Sequence, residues 1–524
     1  MADAAIVEDQ GEVLAFLSAP TAYGAGNDLK VERIDTHGAA VFLVGDRVYK
    51  LKRAVKFPFM DFATAPRRRE LCCTEMTINR RTAPDIYLGV AAVERHRGGL
   101  QLSKICEPDA LPDGALDYVV AMRRFDSKTL LDAVATRGEL TNEVADRLAE
   151  VVASFHCDAE RMPDRGGAAA LIEAVGLDIH QMQARGDLLD PDITALLAQA
   201  MPKAAATVAG LADRRREGGA VRRCHGDLHL GNIFLDGDKP VPFDAIEFNE
   251  KISCIDTLYD LAFLLMDLGY RDLGSQANRL FNRYLWLSGD ADRDNLAALA
   301  LLPIYLARRG AIRAHVGAAN LAHLHGEAAR QERDKARAYQ AYALEALQTR
   351  PPRLIAVGGL SGTGKSTLAM NLAPDIGATP GAVVLRNDVI RKRVAGVALD
   401  QRMPAGWYTP QNSAATYREA NELARIALQA GHSVVVDAVF AQGAEREAIE
   451  RIASELRVPF HGIWLEAPGE ALKQRVAARV GDASDATPQV VERQLGYDLQ
   501  HLTWRRVAAD GPPAAVLQAA RQLL

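Results

Sequence analysis

Short apolar runs that alternate with helical patterns dominate the last third of the chain. Four such runs lie at residues 354–357, 382–385, 432–437 and 461–466, and the stretches between them include the apolar spacing of helices. Continuous apolar runs of this length are typical of strands that are buried on both faces of a parallel sheet. The pattern therefore predicts an α/β domain with a parallel sheet over residues 353–524.

The first part of the chain has a different pattern. An apolar run at residues 41–44, a turn at residues 45–46 and the alternating residues 47–53 predict a β-hairpin. A charged helix is predicted at residues 67–81 and strands at residues 86–93 and 117–122. Helical periodicity then prevails as far as residue 324 or thereabouts. Strands therefore come first in this part of the chain, and helices follow.

A polar segment separates the two parts. Residues 326–350 are rich in Ala, Arg, Glu and Gln and predict a connecting helix. Arg350-Pro-Pro-Arg353 ends that helix, because proline cannot continue it. We therefore predict a first domain at residues 1–325, a helical linker at 326–352 and a second domain at 353–524. We expect the two sides of the boundary to fold independently.

Length and composition agree with more than one globular domain. The chain has 524 residues, of which 48% are hydrophobic and 25% charged, and its net charge is −5. This charge gives no electrostatic reason to expect nucleic acid as a partner. The six cysteines form no C-x-x-C pair, and the acidic N-terminal residues do not predict a signal peptide. No uncharged apolar run approaches the ~20 residues of a membrane span, so we expect a cytoplasmic protein with no membrane partner.

One segment carries the strongest chemical signal. Gly359-Leu-Ser-Gly-Thr-Gly-Lys-Ser366 matches the phosphate-binding pattern G-x-x-x-x-G-K-[ST] at every fixed position, between a predicted strand and a predicted helix. A glycine turn before a helix N-terminus presents several backbone N–H groups to one anion. Lys365 would reach the β- and γ-phosphates, and Ser366 would hold Mg²⁺. The residues predicted to bind the nucleotide are Gly359, Ser361, Gly362, Thr363, Gly364, Lys365, Ser366 and Thr367.

Charged residues follow the other apolar runs of this region. Asp388 and Arg391 come after the run 382–385, at the carboxyl end of a strand, where open parallel sheets bind ligands. Asp437 ends the run 432–437 and stands where a second carboxylate for Mg²⁺ belongs. Arg475 and Arg479 share one face of a predicted helix beside a loop, where they would stabilise charge on the transferring phosphoryl group. A solvated helix face is the alternative for these two arginines.

A second chemical centre lies in the first domain. Within the segment His225-Gly-Asp-Leu-His-Leu-Gly-Asn232 stand Asp227 and Asn232, and Asp244 follows twelve positions after Asn232. An ATP phosphotransferase needs a carboxylate near the acceptor hydroxyl, and an amide and a second carboxylate on Mg²⁺. Asp227 would supply the first, and Asn232 and Asp244 the other two.

A lysine and a glutamate upstream complete this centre. Lys50 on the predicted hairpin would pair with the α- and β-phosphates, and Glu75 on the following helix would hold that lysine. Lys52 and Glu70 are alternatives for these two roles. We expect Asp260, at the start of a later helix, to cap that helix or to tether the lobes rather than to react.

With these residues, residues 30–325 resemble the aminoglycoside phosphotransferase and fructosamine kinase group of the protein-kinase-like fold. The specific part of the resemblance is His225-Gly-Asp227, Asn232 and Asp244. It implies an α+β bilobal fold with a strand-rich lobe, a helical lobe and ATP bound between them near Met122. Two features depart from the protein-kinase pattern: no G-x-G-x-x-G loop precedes Lys50, and no glycine follows Asp244.

Residues 353–524 resemble the P-loop small-molecule kinases, near gluconate kinase, polynucleotide kinase and zeta-toxin-type kinases. In that group an aspartate at the end of the second strand often acts on the acceptor hydroxyl; Asp388 matches it, and Arg391 would hold an anionic part of the acceptor. The whole chain resembles bacterial fusions of the two kinds of domain. This implies two ATP- and Mg²⁺-dependent centres acting on small hydroxylated molecules. Two alternatives stay open: one centre senses nucleotide, or the second domain phosphorylates a nucleic acid or a nucleotide sugar.

Overall fold

The computed structural model describes residues 5–24, 29–57, 59–288, 292–399, 401–478 and 484–524. The chain divides into two compact units. Unit 1 comprises Met1–Ala174, Ala212–Asp267 and His315–Arg333, and unit 2 comprises Val175–Leu211, Leu268–Ala314 and Asp334–Leu524. Two helical stretches of the predicted first domain thus belong to the same unit as the C-terminal sheet. The boundary at Arg350-Pro-Pro-Arg353 stays a prediction about independent folding.

The first part of unit 1 is an antiparallel sheet with its flanking helices and short strands. Its elements are β1 (Ala5–Ile6), α1 (Gly11–Leu17), β2 (Val31–Asp35), β3 (Ala39–Val44), β4 (Arg47–Lys52), β5 (Val55–Phe57), β6 (Met60–Asp61), α2 (Ala65–Asn79), β7 (Tyr87–His96), β8 (Gly99–Leu102) and β9 (Asp117–Arg123). Six strands pair in the order β2-β3-β4-β9-β7-β8. The predicted hairpin is β3 and β4, with Val44 opposite Arg47. The hydroxyl of Thr64 caps α2 by accepting from the Arg67 N–H.

Helices dominate the middle of the chain. The elements are α3 (Leu131–Thr136), α4 (Asn142–Asp158), α5 (Gly167–Gln183), α6 (Pro191–Glu217), β10 (Val221–Arg223), β11 (Ile233–Asp236), β12 (Lys239–Pro242), α7 (Glu250–Ser253), β13 (Cys254–Asp256), α8 (Thr257–Tyr270), α9 (Gly274–Leu287), α10 (Asp292–Ala298), α11 (Leu302–Asn320) and α12 (Gly326–Ala346). Two small antiparallel pairs, β10 with β13 and β11 with β12, frame the loop that carries Asp227 and Asn232.

The C-terminal part is a parallel α/β fold, as the apolar runs predicted. Its elements are β14 (Leu354–Gly359), α13 (Lys365–Leu372), β15 (Val383–Arg386), α14 (Asn387–Val394), α15 (Pro410–Gln429), β16 (Val434–Asp437), α16 (Gly443–Leu456), β17 (Phe460–Glu466), α17 (Gly469–Ala477), α18 (Pro488–Leu495), β18 (Arg505–Ala508) and α19 (Pro513–Arg521). All five strands are parallel, in the order β15-β16-β14-β17-β18. Sequence patterning did not predict β18, because this short edge strand begins with two exposed arginines.

Helix α9 covers the exposed edge of this sheet within unit 2. The amide of Asn282 donates to the Ala382 carbonyl at 3.1 Å and accepts from the Val384 N–H at 2.7 Å. Asn278 donates to the same carbonyl at 3.0 Å, and the Trp286 indole N–H donates to the Val384 carbonyl at 3.2 Å. Side chains of α9 therefore satisfy the backbone groups that edge strand β15 leaves unpaired.

Helix α12, predicted as a polar connector, also has a buried face, on which Gln340 donates to the Asp190 carbonyl at 2.8 Å and Tyr339 stacks on Tyr270 with ring centroids 3.9 Å apart. Among the described residues, α6 is the one helix long and apolar enough to cross a membrane by length and composition, and 28% of its apolar window is buried. A single helix of this kind is weak evidence for a membrane span.

Candidate functional site

The structure brings Lys50 and Glu75 into contact in unit 1. The Lys50 ammonium donates to Glu75 Oε1 at 2.9 Å and to Asp244 Oδ1 at 2.5 Å. Glu75 is completely buried, whereas Glu70, the alternative, lies on the surface and pairs with Arg67. The geometry therefore favours Lys50 and Glu75 for the predicted pair.

Lys52 lies two residues further along β4 and contacts the same glutamate. Its ammonium donates to Glu75 Oε2 at 2.5 Å and also to Glu247, and its side chain is 1% exposed. Burial alone would raise the pKa of Glu75, but the charges of Lys50 and Lys52 outweigh burial and lower that pKa to about 2. The two lysines thus share one ionised carboxylate. Glu247 was missed by sequence reasoning, and its only signal was its place three residues after Asp244.

The loop before β11 places Asp227 beside Asn232. The Asn232 amide nitrogen donates to the Asp227 carbonyl at 3.0 Å and to Asp227 Oδ2 at 2.8 Å. His225 is buried; its Nε2–H donates to the Phe243 carbonyl at 2.9 Å, and its Nδ1 accepts from the Asp227 N–H at 3.3 Å. Burial lowers the pKa of His225, so this neutral ring joins the Asp227 loop to the strand that precedes Asp244.

Asp260, on α8, holds the same loop by its backbone. Its carboxylate accepts from the N–H groups of His225 at 3.0 Å and Gly226 at 2.9 Å, and His156 Nε2 lies 3.1 Å from it. Asp260 is completely buried. These contacts give Asp260 a positioning role for the segment that carries Asp227.

Asp244 sits in a left-handed backbone conformation, with φ 62°. Such a conformation is uncommon for a residue other than glycine and persists only where the surroundings impose it. Here the Asp244 N–H donates to the Tyr87 hydroxyl at 3.1 Å, the Ala245 N–H to Asn79 Oδ1 at 2.7 Å, and the Phe243 N–H to the Asn232 carbonyl at 2.9 Å. The Asp244 side chain is 45% exposed, so its carboxylate is accessible to a ligand.

Met122, the residue predicted to border the nucleotide, lies in β9. It pairs with Val48 of β4 and Tyr87 of β7 and packs in a cluster with the stacked rings of Phe125 and Phe234. Met122 thus shares a sheet with Lys50, and its contact with nucleotide stays a prediction.

In unit 2, the phosphate loop joins β14 to α13. A Cβ at Gly359 would lie 2.7 Å from the Leu465 carbonyl oxygen, so the close approach of the two strands requires glycine there. Gly364 forms the N-cap of α13 at φ 88°, with nothing within 4 Å of where its Cβ would stand. This open, left-handed turn leaves room for an anion at the helix N-terminus. Thr367, also predicted to bind nucleotide, is exposed on the first turn of α13.

The loop is braced by its own side chains. The Thr363 hydroxyl and the Lys365 ammonium both donate to the Leu360 carbonyl, at 2.8 and 3.0 Å. The Ser361 N–H donates to Gln494 Oε1 of α18 at 2.8 Å. Gln494 therefore anchors the phosphate loop, a role that its place in a weak helical pattern did not signal.

Ser366 and Asp437 meet where α13 begins and β16 ends. The Ser366 hydroxyl donates to Asp437 Oδ2 at 2.5 Å, and the Arg386 guanidinium lies 3.8 Å from the same oxygen. Asp437 is 5% exposed. Burial raises the pKa of Asp437, while the nearby charges of Lys365 and Arg386 oppose the shift. The structure thus joins the two residues that the sequence assigned to Mg²⁺.

Asp388 and Arg391 form an ion pair on the first turns of α14. Burial would raise the pKa of Asp388, but the charges of Arg391 and Lys365 outweigh it and lower that pKa. The Arg391 guanidinium also lies over the Tyr408 ring, 5.5 Å from its centroid. An ionised carboxylate therefore lies beside a cation at the carboxyl end of β15.

Arg475 makes contacts that the sequence did not predict. Its guanidinium donates to the Ala509 carbonyl at 2.7 Å and to the Asp510 carbonyl at 3.4 Å. Asp510 also lines a cleft of about 290 Å³ at the carboxyl ends of β17 and β18, together with Glu466, Ala467, Pro468, Arg506 and Ala508. The catalytic role of Arg475 stays a prediction, and Arg479 lies outside the described residues.

Both donor sets have the chemistry that a nucleotide with Mg²⁺ requires. In unit 1 the Asn232 amide contacts the Asp227 carboxylate, and the backbone of Asn232 pairs with Phe243, the residue before the half-exposed Asp244. In unit 2 a serine hydroxyl meets a buried carboxylate beside an open glycine turn. Oxygen ligands of these kinds are those that Mg²⁺ prefers, and a lysine accompanies each set.

Fold and site together define a kinase-type protein with two domains. The family model described as "Phosphotransferase enzyme family" matches residues 90–302, and the model described as "AAA domain" matches residues 354–498. Uncharacterized protein Rv2004c of Mycobacterium tuberculosis (strain ATCC 25618 / H37Rv) is 31% identical over 493 residues, covering 91% of this chain and 92% of the relative. The chain belongs to the family of that relative. In this chain a phosphotransferase domain precedes a P-loop kinase domain, and the protein is a phosphotransferase.

Two further similarities each cover part of the chain. Adenylyl-sulfate kinase of Myxococcus xanthus (strain DK1622) is 28% identical over 118 residues, 22% of this chain and 59% of that protein. The choline/ethanolamine kinase family protein from Mesorhizobium loti, a solved structure, is 17% identical and covers 64% of this chain and 98% of its own, with a TM-score of 0.36.

Proposed function

We propose that this protein is an ATP-dependent phosphotransferase with two nucleotide sites, which transfers the γ-phosphoryl group to hydroxyl groups of small molecules. The observation that supports the proposal is that each unit brings together a lysine, carboxylates and an amide or hydroxyl group, which are the groups that such a reaction would use. The acidic overall balance further supports a small acceptor rather than nucleic acid. The six cysteines, none of them in a C-x-x-C pair, support a place in the cytoplasm.

In unit 1, Asp227 accepts the proton of the acceptor hydroxyl while Lys50 pairs with the α- and β-phosphates. The hydroxyl oxygen forms the new bond to the γ-phosphorus, the bond from that phosphorus to the bridging oxygen breaks, and ADP leaves. Asn232 and Asp244 would hold Mg²⁺, which supplies charge neutralisation on the phosphates when it is bound.

In unit 2, Asp388 takes the acceptor proton, and Arg391 holds an anionic part of the acceptor. Lys365 and the loop N–H groups bind the β- and γ-phosphates. Ser366 and Asp437 would hold Mg²⁺. The low pKa of Asp388 keeps it ionised, which a proton acceptor requires.

Calorimetry with MgATP on the whole chain tests the two sites. We expect two equivalents for the native protein and one for Lys365→Ala, while Lys56→Ala, a change at a lysine that is 61% exposed, should keep both. A single equivalent that Lys365→Ala leaves unchanged would count against the phosphate loop as a working site. If the native protein binds one equivalent and Lys365→Ala binds none, unit 1 is a module without nucleotide binding.

Turnover of ATP against a library of sugars, aminoglycosides and nucleosides then identifies the acceptors. Asp227→Asn and Asp388→Asn, each in the whole chain, assign a positive hit to one centre. Turnover by only one centre, with nucleotide bound at both, would indicate that the other senses nucleotide. Binding of single-stranded DNA or RNA that weakens steeply with salt would favour a nucleic-acid kinase in unit 2.

A further inference from the structure

Five charged side chains of unit 1 form a continuous line of alternating sign, which we call the charge line: Asp244, Lys50, Glu75, Lys52 and Glu247. Each lysine donates to two carboxylates, and Glu75 accepts from both lysines through its two oxygens. One end of the line, Asp244, is 45% exposed, and the other end, Glu247, is 5% exposed. The line therefore runs from the half-exposed carboxylate of Asp244 into the interior.

The buried half of the line calls for an explanation other than stability. Lys52 and Glu75 are 1% and 0% exposed. The cost of removing such charges from water is large, and a well-packed apolar pair in their place is often as stable or more so. The pair of Lys52 and Glu247 therefore points to a geometric task.

The charge line connects one loop to one strand. Asp244 and Glu247 belong to one loop, three residues apart, and Lys50 and Lys52 belong to one strand, two residues apart. The loop is thus tied to β4 at two points, one of them at the buried end. Besides the backbone hydrogen bonds to Tyr87 and Asn79, the loop therefore has two side-chain ties to β4, which together restrict its distance from that strand and its angle to it.

We propose that Glu247 is a positioning residue of the unit 1 centre, which acts through Lys52 to fix the Asp244 loop and Glu75 before nucleotide binds. The inference rests on the proposed function of unit 1 and names a residue that this function did not require. When Lys50 turns from Asp244 to the phosphates of a nucleotide, Glu75 holds it through Oε1 and keeps Lys52 as its second partner through Oε2. Helix α2 and strand β4 therefore keep their relative position while nucleotide binds.

Calorimetry with MgATP on the whole chain carrying Lys365→Ala tests the proposal, because only the unit 1 centre should then bind. Glu247→Gln, which keeps the shape and removes the charge, should weaken MgATP binding about tenfold, the usual effect of losing a partner that orients a metal ligand. The matched control is Glu250→Gln, a change at an exposed glutamate three residues further on that pairs with Arg165 and Arg223. The control should bind MgATP like its parent.

A double-mutant cycle separates positioning from mere stability. If Glu247 acts through Asp244, Glu247→Gln should weaken MgATP binding in the parent and have little further effect in Asp244→Asn. Additive losses would overturn the proposal. Hydrogen exchange without nucleotide gives an independent readout: the amides of Ala245 and Ile246, which donate to Asn79 and to the His225 carbonyl, should exchange faster in Glu247→Gln.

A second variant covers the case in which Glu247→Gln does not fold. Lys52→Met with Glu247→Met replaces both buried charges by apolar groups, which the interior tolerates better than one unpaired charge. We expect this variant to fold and to bind MgATP about tenfold more weakly than the parent. Parental affinity in this variant would overturn the proposal. If the Lys365→Ala parent binds no MgATP at all, the proposed function of unit 1 itself fails and the inference falls with it.

Discussion

The hydroxyl of Ser366 lies 2.5 Å from Oδ2 of Asp437, so the last residue of the phosphate loop meets the end of a buried strand 71 positions away. Strands β14 and β16 are neighbours in the parallel sheet, with Val357 opposite Asp437. Both side chains therefore emerge at the same carboxyl edge, where ligands of open sheets bind.

Removing the charge of Asp437 should weaken MgATP binding in unit 2. With Asp437→Asn we expect a loss of about 10-fold to 100-fold in affinity for MgATP and a smaller change for metal-free ATP, because the carboxylate would act on the metal. Calorimetry in an Asp244→Ala background, in which unit 1 should bind MgATP more weakly, leaves unit 2 as the tighter site. Asp375→Asn, at an exposed aspartate paired with Arg521, is the control. Equal losses with and without Mg²⁺ would exclude the metal role.

Asp388→Asn should abolish phosphoryl transfer in unit 2 and leave MgATP affinity almost intact. The substitution removes the group proposed to take the acceptor proton, whereas the phosphates would contact the loop and Lys365. Turnover with an acceptor found by the library screen, together with nucleotide affinity, checks this. If Asp388→Asn loses nucleotide while Asp437→Asn keeps it, the two aspartates have each other's roles.

The pH profile of the unit 2 reaction should report the charge of Arg391. The pKa of Asp388 is lowered, because nearby positive charges outweigh the effect of burial, which alone would raise it. The charge of Arg391 is the largest of these lowering influences. Arg391→Leu therefore raises this pKa, and the acid limb of the rate profile should move to higher pH, because the active carboxylate is protonated earlier as the pH falls. Arg418→Leu, at an exposed arginine on α15, should leave the limb in place. An unmoved limb in Arg391→Leu would exclude Asp388 as its source.

In unit 1, Asp227→Asn should lower kcat by about 10²–10⁴ with little change in ATP binding, because the lost group is needed only when the acceptor proton moves. Asp244→Ala should weaken MgATP binding as well, because it removes a charge from the metal site and the partner of Lys50. Turnover and nucleotide affinity, measured with and without Lys365→Ala, check both variants. Full activity in Asp227→Asn would leave unit 1 as a binding or regulatory module.

The contact of α9 with β15 should contribute to the stability of unit 2. In Asn282→Leu the buried Val384 N–H loses its acceptor, which costs about 1–3 kcal/mol of unfolding free energy. Ser275→Ala, an exposed change on the same helix, should stay within about 0.5 kcal/mol. Denaturant unfolding of the whole chain measures both. Equal midpoints for the two variants would show that α9 does not support the sheet edge.

The contact of α9 with β15 also concerns the domain boundary predicted at Arg350-Pro-Pro-Arg353. A fragment that begins at residue 353 lacks α9, so the backbone groups of β15 would face solvent without Asn278 and Asn282. An exposed edge strand invites association with other chains. Independent folding of residues 353–524 stays a prediction, which a soluble fragment with a cooperative melt would confirm.

The sequence by itself determined the parallel sheet and the order of its chemistry. The phosphate loop, Asp388 and Asp437 each follow an apolar run, and such local patterns predict strands whose carboxyl ends share one edge. The resemblance of the first domain likewise singled out Asp227, Asn232 and Asp244. These features could be read because each depends on residues close together in the chain.

Only the tertiary structure decided which partners meet across long separations. Lys50 and Lys52 share Glu75, Glu247 closes the charge line, and Asn282 completes the edge of a sheet about a hundred positions away. The alternation of residues along β4 does not distinguish a buried lysine from a solvated one. The helical spacing of α9 does not distinguish an amide that pairs with a strand edge from an amide on the surface. Their roles depend on burial and on hydrogen-bond partners, and these are fixed only when distant segments pack together.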